Sequence, residues 1–378
     1  MSLFTDFDLL PSLQAVLAET DRVNPTEIQS KAIPELLAEK SVVGVSETGS
    51  GKTLAYALPI LHQMKSMENR GLRLNLEGTP RACVIVPTRE LGEQVARVFK
   101  VFTHTTRLRV RTVLGGTPME TARRNSAGPF EILIATPGRL VQLLDRKLVH
   151  LSDIRILVFD EADQMLDPGF LEDANRIVQE CPPSRQLALF SATVSPSVQS
   201  LMQKLFSEAE VIRSQGSQHL VPTLTTQNLT VVNGKRFPLL EKLLAEPVAG
   251  GTLIFTNTRE QCDKLVADLR KTPHACVLYR GEMDKVTRRM NLKSFREGKA
   301  KFLISTDLAS RGLDVEHVGR VINYHLPQHL ENYIHRVGRT ARAGRKGLVI
   351  NFVTERDQKL LEQLPKIERK KASALRLH

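Results

Sequence analysis

The sequence predicts an α/β fold of two tandem domains, each a mostly parallel sheet flanked by helices. Three observations carry this expectation. The chain has 378 residues, more than one hydrophobic core ordinarily serves, so two domains are expected. Short apolar runs of strand length recur, separated by longer stretches of helical pattern. That alternation builds parallel sheets covered on both faces. It occurs twice, around a polar break with Gly and Pro at Arg213–Pro222 (RSQGSQHLVP).

In the first half the strand candidates are Ser41–Val45, Ala82–Val86, Arg109–Leu114, Glu131–Ala135, Ile154–Phe159 and Leu187–Phe190. In the second they are Thr252–Thr256, Ala275–Tyr279, Lys301–Ser305, Arg320–Tyr324 and Leu348–Phe352. The expected boundaries are 1–213 for the first domain, 214–222 for a linker and 223–378 for the second. The basic tail Lys366–His378 reads as a helix end, with a loose arm as the alternative. Parallel sheets of this kind bind ligands in the loops at the carboxyl ends of their strands.

The composition is that of a soluble globular protein, with 41% hydrophobic and 25% charged residues. No apolar run is long enough to span a membrane. Asp6 and Asp8 stand where a secretory signal would carry basic residues. Cys83, Cys181, Cys262 and Cys276 lack C-x-x-C spacing, which points to reduced thiols in a cytoplasmic protein, and the chain is expected to be a monomer. Net charge is +12, and it is uneven: residues 1–221 hold 24 Lys/Arg and 25 Asp/Glu, residues 222–378 hold 29 and 16. A basic half-chain suits a phosphate backbone, and a merely basic soluble domain is the alternative.

Strand Ser41–Val45 runs into Ser46-Glu47-Thr48-Gly49-Ser50-Gly51-Lys52-Thr53 and then an apolar helical stretch. Glycines let backbone N–H groups turn towards a phosphate, and the helix N-terminus adds positive potential. In this pattern Lys52 reaches the β- and γ-phosphates and the Thr53 hydroxyl ligates Mg²⁺. Ser46 replaces the usual first glycine. Strand Ile154–Phe159 ends in Asp160-Glu161-Ala162-Asp163. Asp160 suits Mg²⁺ held through water, and Glu161 suits positioning the attacking water and accepting its proton. Alone, such an acidic run could also be a helix N-terminus, a reading the phosphate loop disfavours. His335–Arg345 packs four arginines and a histidine into eleven residues. Guanidinium groups there can stabilise charge on a transferring phosphate, or the segment is a solvated basic turn.

These motifs, in this order, resemble the DEAD-box RNA helicases of superfamily 2, from about Phe4 to about Val353. The resemblance implies that both domains are RecA-like. Pro25–Gln29 resembles the Q motif, which makes Thr26 and Gln29 adenine-site residues, with Phe4 stacking on the base. Asp21-Arg22 stand where the family often has Gly-Phe. Ser46–Thr53 matches motif I, assigning Ser46, Thr48, Gly49, Ser50, Gly51, Lys52 and Thr53 to ATP. Asp160–Asp163 matches motif II. Ser191-Ala192-Thr193 matches motif III, which in the family links hydrolysis to unwinding, a coupling that would also involve Asp163 and His335. Pro87–Leu91, Gly115-Gly116 and Thr136–Arg139 look like RNA motifs, implying RNA contacts by Arg89, Gly116, Thr136 and Arg139. Phe255–Thr258 resembles motif IV. Ser305–Asp307 with Arg311–Asp314 resembles motif V, with Thr306 on RNA and Asp314 on the ribose. His335–Arg342 resembles motif VI, making Arg339 and Arg342 arginine fingers. Ala341 replaces a frequent glycine, an exchange expected to be harmless, and Arg280, where many members have His, receives no role.

The likeness implies an ATP-dependent RNA helicase that uses ATP and Mg²⁺. It would close on ATP and RNA, unwind short duplexes locally and reset on hydrolysis. The alternatives are an ATP-gated RNA clamp or scaffold and a DNA-directed superfamily 2 translocase. Hydroxyls and close backbone amides at Thr88, Gly116, Thr136 and Gly138 suit sugar and phosphate rather than base edges. Aromatics are only 5% with no Trp, which argues against extensive base stacking.

Overall fold

The computed structural model describes residues 2–47, 49–72, 76–165, 168–194, 196–214, 224–281, 283–307, 315, 318–341 and 346–364. Its contacts divide the chain into two units, Met1–Ser217 and Gln218–His378. Most of the expected linker 214–222, and the tail from 365 on, lie outside the described residues.

The first unit contains strands β1 (Val42–Val45), β2 (Ala82–Ile85), β3 (Val110–Val113), β4 (Ile132–Ala135), β5 (Ile156–Asp160), β6 (Gln186–Ser191) and β7 (Glu210–Arg213). They form one sheet in the order β3-β4-β2-β5-β6-β1-β7. Every pairing is parallel, so all carboxyl ends share one edge. The helices are α1 (Pro11–Glu19), α2 (Glu27–Leu37), α3 (Lys52–Asn69), α4 (Arg89–Thr106), α5 (Met119–Ser126), α6 (Pro137–Asp145), α7 (Pro168–Gln179) and α8 (Pro196–Leu205).

Strand side chains alternate between faces, and the two core layers follow that alternation. Val84, Ile134, Val158 and Phe190 pack with α1 to α4 on one face. Val43, Ile85, Leu133, Phe159 and Leu189 pack with α5 to α8 on the other. In these layers Phe99, Phe159 and Phe190 are fully buried. Truncating any of these rings to alanine costs about 3–5 kcal/mol.

The second unit holds β8 (Leu224–Thr230), β9 (Gly251–Thr256), β10 (Cys276–Tyr279), β11 (Phe302–Thr306), β12 (Val318–Asn323) and β13 (Gly347–Val353). Their order is β10-β11-β9-β12-β13-β8, again wholly parallel. Its helices are α9 (Phe237–Ala245), α10 (Arg259–Leu269), α11 (Lys285–Arg296) and α12 (Leu330–Val337). Leu253, Phe255, Val321 and Tyr333 form one layer. Ile254, Ile304, Ile322 and Phe352 pack with α9 and α10 in the other.

All eleven strands expected from sequence are present, most shifted by one or two residues. Two others, β7 and β8, escaped the reading. Each pairs on one side only, β7 with β1 and β8 with β13. As edge strands (EVIR and LTTQNLT) they are largely exposed, so they carry no continuous apolar run to betray them.

Candidate functional site

The loop after β1 is built by two glycines in the left-handed region, Gly49 at φ +86° and Gly51 at φ +91°. Gly51 is the N-cap of α3. A Cβ there would lie 2.3 Å from Gln29 Nε2, so a side chain is excluded twice, by strain and by contact. Gln29 holds the turn from the other side. Its Nε2 donates to the Gly51 carbonyl at 3.0 Å, and its Oε1 accepts from the Thr26 backbone N–H at 2.8 Å. A carboxamide has two donors and two lone pairs, so one N–H and one lone pair stay open, as an adenine edge requires. Lys52 is 6% exposed, and its ammonium donates to the Ser46 and Glu47 carbonyls at 2.7 and 2.9 Å. Those are contacts it can exchange for phosphate oxygens. The Ser46 and Ser50 hydroxyls bond one another.

Beside this loop lies a cavity of about 660 Å³ lined by Phe4, Arg22, Thr26, Gln29, Gly51 and Thr53, among others. Phe4 reaches it from below. The ring is only 3% exposed, packs edge-on to Phe7 at 5.9 Å and has its backbone N–H tied to the Val23 carbonyl at 3.0 Å. Asp21 and Arg22 stand exposed on the same cavity.

Asp160 ends β5 and is 1% exposed. Tyr56 donates to its Oδ2 at 2.6 Å and the Glu161 N–H to its Oδ1 at 2.9 Å. Burial raises the Asp160 carboxyl above the ordinary range, opposed by Tyr56 and by the Lys52 charge. Burial and that same carboxylate push the Tyr56 phenol well up, so it stays a donor. Tyr56, one turn into α3, was missed in the sequence because it reads as an apolar core residue. Among the described residues no group of three His, Cys, Asp or Glu could hold a metal. The donors at hand, one carboxylate and the Thr53 hydroxyl, are hard oxygens. They suit an ion that keeps water and shares phosphate oxygens, as Mg²⁺ does.

Glu161 sits at φ +53°, a conformation costing a non-glycine residue about 1 kcal/mol. Gln164 Nε2 donates to its carboxylate. Asp163 faces β6: its Oδ2 accepts from the Ala192 N–H at 3.0 Å, the Thr193 N–H at 2.8 Å and the Thr193 hydroxyl at 3.1 Å. Its own N–H donates to Ser191 Oγ at 3.3 Å, which in turn donates to the Thr193 carbonyl at 2.7 Å. Asp163, Ser191 and Thr193 thus form one hydrogen-bonded unit beside Glu161, and Ser191 O also accepts from the Ser46 N–H at 3.0 Å.

The other half of the carboxyl edge, at β3-β4-β2, carries a second cluster. Thr136 Oγ1 accepts from the Gly115 N–H at 2.9 Å. Arg139 Nη2 donates to the Thr117 carbonyl at 2.8 Å, while its Nη1 is buried without a hydrogen bond. Arg89 pairs with Glu93 at 2.8 Å and reaches the Gly116 carbonyl at 3.4 Å. Gly116 is at φ +73° with nothing near its Cα face, leaving open backbone for close approach. Sheet order therefore brings Arg89, Gly116, Thr136 and Arg139 together, apart from the β5-β6-β1 half that holds Lys52, Asp160, Glu161 and Ser191.

In the second unit α12 lays Arg336 across three adjacent strand ends. The residue is 1% exposed. It donates to Asp307 Oδ2 at 2.8 Å, Asn257 Oδ1 at 2.8 Å, Asn323 Oδ1 at 3.1 Å and the His325 carbonyl at 2.6 Å. Its guanidinium lies 5.0 Å from the Phe255 ring centroid. The sequence placed Arg336 inside an arginine-rich motif without distinguishing it from its neighbours. His335 and Arg339, on the same segment, are buried, and Arg339 Nε donates to the His335 carbonyl at 3.2 Å. Thr306 ends β11 and is 8% exposed. Ala341 takes φ +56°, so alanine in place of glycine is not neutral here: it adds strain of about 1 kcal/mol. Arg280, given no role from sequence, bonds Asp263 at 3.0 Å. Thr48, Asp314 and Arg342 lie outside the described residues, as does the stretch Arg311–Leu313.

Comparisons with known proteins bear on the family and the fold. Residues 26–201 match the DEAD/DEAH box helicase family model, and residues 235–344 match the helicase conserved C-terminal domain. The chain is 35% identical over 364 residues to the RNA helicase CrhR of Synechocystis sp., covering 96% of this chain and 72% of that protein. It is 36% identical over 365 residues to the DEAD-box ATP-dependent RNA helicase RhpA of Helicobacter pylori, with the same coverage of 96% and 72%. Among solved structures, S. cerevisiae Dbp5 bound to RNA and ADP BeF3 superimposes with a TM-score of 0.84 at 29% identity, over 96% of this chain and 93% of that one.

Proposed function

Because this chain belongs to the DEAD-box ATP-dependent RNA helicases, RNA-stimulated ATPases with two RecA-like units, we propose how its residues divide the work. The first unit grips ATP at the β5-β6-β1 half of its carboxyl edge and one RNA strand at the β3-β4-β2 half. The single observation behind this division is the sheet order, which sets both loop clusters on one edge of the first unit; the Asp163–Thr193 contact supports a role in coupling.

Lys52 exchanges its loop carbonyls for the β- and γ-phosphates; the Ser50 N–H, which donates to the Glu47 carbonyl at 3.3 Å, would make the same exchange, and Gly49, Gly51 and Ser46 shape the loop. Gln29 and Thr26 hold the adenine edge above Phe4. Mg²⁺ would be held by Thr53 and, through water, by Asp160, and it supplies neutralisation of phosphate charge. Glu161 orients the attacking water and accepts its proton as the bond to the γ-phosphorus forms and the bond to the β–γ bridging oxygen breaks. Arg339 and Arg342 of the second unit neutralise the charge passing to that phosphate once the units close, and Asp314 holds the ribose. His335 belongs to the link with Ser191 and Thr193.

Arg89, Gly116, Thr136 and Arg139, with Thr306 of the second unit, hold the RNA backbone without reading sequence. A strand held bent between units cannot stay paired, so a short duplex opens locally. Loss of the γ-phosphate removes the shared anchor and resets the enzyme. The four thiols are all free, and no described helix is long and apolar enough to cross a membrane. The free thiols support a reducing compartment such as the cytoplasm.

Glu161→Gln tests the assignment. RNA-stimulated phosphate release should fall to background while ATP and RNA still bind, measured by nucleotide titration and RNA anisotropy. Full turnover in that variant overturns the reading.

A further inference from the structure

The amino ends of the second unit's strands lie opposite that unit's own carboxyl-end loops. There, between residues 245–250, 297–301 and Val315, lies a cavity of about 600 Å³. Arg320 lines it and is 1% exposed. Its Nη1 donates to the Leu243 carbonyl at 2.7 Å, near the end of α9, and its Nε to Thr252 Oγ1 at 3.2 Å. Among the described residues Nη2 makes no hydrogen bond, and no carboxylate lies within ion-pair distance. Nη1 caps the carboxyl end of α9, whose partial negative charge offsets part of the guanidinium's, and Nη2 is left without a hydrogen bond beside the cavity.

The backbone is shaped to hold Arg320 here. The β12–β9 register shifts between Val318 and Arg320. A Cβ at Gly319, inside that bulge, would lie 1.9 Å from the Ala249 carbonyl, so the 245–250 loop closes directly onto the bulge. Around Arg320 the walls are mixed. Phe295 and Phe302 supply apolar surface, and Lys301 stands exposed at the mouth. Two acidic residues, Glu246 and Glu297, also line the cavity, and Glu297 is already paired with Lys299 at 2.6 Å. Glu246 acts on Arg320 only at longer range.

We propose that this cavity is a ligand site for a small molecule bearing one oxyanion, a carboxylate or a phosphate monoester, on an apolar body. The oxyanion sits at Arg320 Nη2 and Lys301, and the apolar part lies against Phe295 and Phe302. The site is separate from ATP and RNA, because none of its residues belongs to the loops assigned to either.

The test is calorimetric titration of the full chain with benzoate and with phenyl phosphate, in a Lys52→Ala background that removes the phosphate grip of the first unit. Binding of at least one probe is expected, and the tighter of the two identifies the head group. Lys301→Glu should weaken it by about tenfold or more, the scale of one charge-assisted contact. Arg320→Met should do the same, its folding checked by intact RNA-stimulated turnover when Lys52 is present. If Arg320→Met fails to fold, Lys301→Glu alone decides. No binding of either probe, or unchanged affinity in Lys301→Glu, overturns the proposal.

Discussion

Arg22 shows how one residue can alter a site whose frame is otherwise shared with the family. It lines the 660 Å³ cavity beside Gln29 and is exposed, whereas Phe4 on the same cavity is 3% exposed. A guanidinium over an aromatic face is attractive by about 0.5–1 kcal/mol at an exposed position. Arg22→Ala should therefore raise the KM for ATP about threefold with kcat nearly unchanged, and Arg22→Phe should restore it. Steady-state kinetics at saturating RNA check this, and an unmoved KM removes Arg22 from the base site. Lys52, Thr53 and Asp160 were legible in sequence because phosphate chemistry demands those residue types at that spacing. Tyr56 was not, because a tyrosine in an apolar helix reads as core until its hydroxyl is seen 2.6 Å from Asp160. The cost at Ala341 was invisible for a similar reason, since a backbone angle has no letter in the sequence.

Elements matter through what they tie together. Helix α12 holds the ends of β9, β11 and β12 by the single side chain Arg336. Removing it takes a shared donor from Asn257, Asn323 and Asp307, so Arg336→Met should destabilise the protein by about 3 kcal/mol in denaturant titrations. Arg336→Lys should rescue little, because an ammonium lacks the planar fork. His325, at the end of β12, adds a pH dependence. Burial first, then Arg236 and Arg336, lower its pKa from 6.5 to about 4, against a weaker opposing pull from Asp357. The folded state thus prefers the neutral ring. Its contribution is fully present above pH 6.5 and is lost as pH falls towards 4. With partial exposure screening the effect, the loss is about 2 kcal/mol. Thermal melts from pH 6.5 down to about 5, where carboxylates stay largely ionised, should show it, and His325→Asn should flatten it.

For the whole molecule, the decisive expectation is that one nucleotide needs residues from both units. Arg339→Ala should lower RNA-stimulated kcat by about 10³-fold or more, the effect of losing an arginine finger, while ATP still binds through Lys52 of the first unit. Normal turnover in that variant would mean each unit acts alone. Residue type and spacing, with periodicity, by themselves determined the two-sheet α/β architecture, eleven of its strands, and the loops bearing Lys52, Asp160–Asp163 and Arg339. They could do so because phosphate loops and buried parallel strands restrict which residues are tolerated at each position. Only the tertiary structure decided which loops share an edge, that Asp163 is bound to Thr193, that Arg336 ties three strand ends together, and that Arg320 is buried beside a cavity. Those facts depend on strand order and on contacts between residues far apart in the chain, and local pattern carries no record of either.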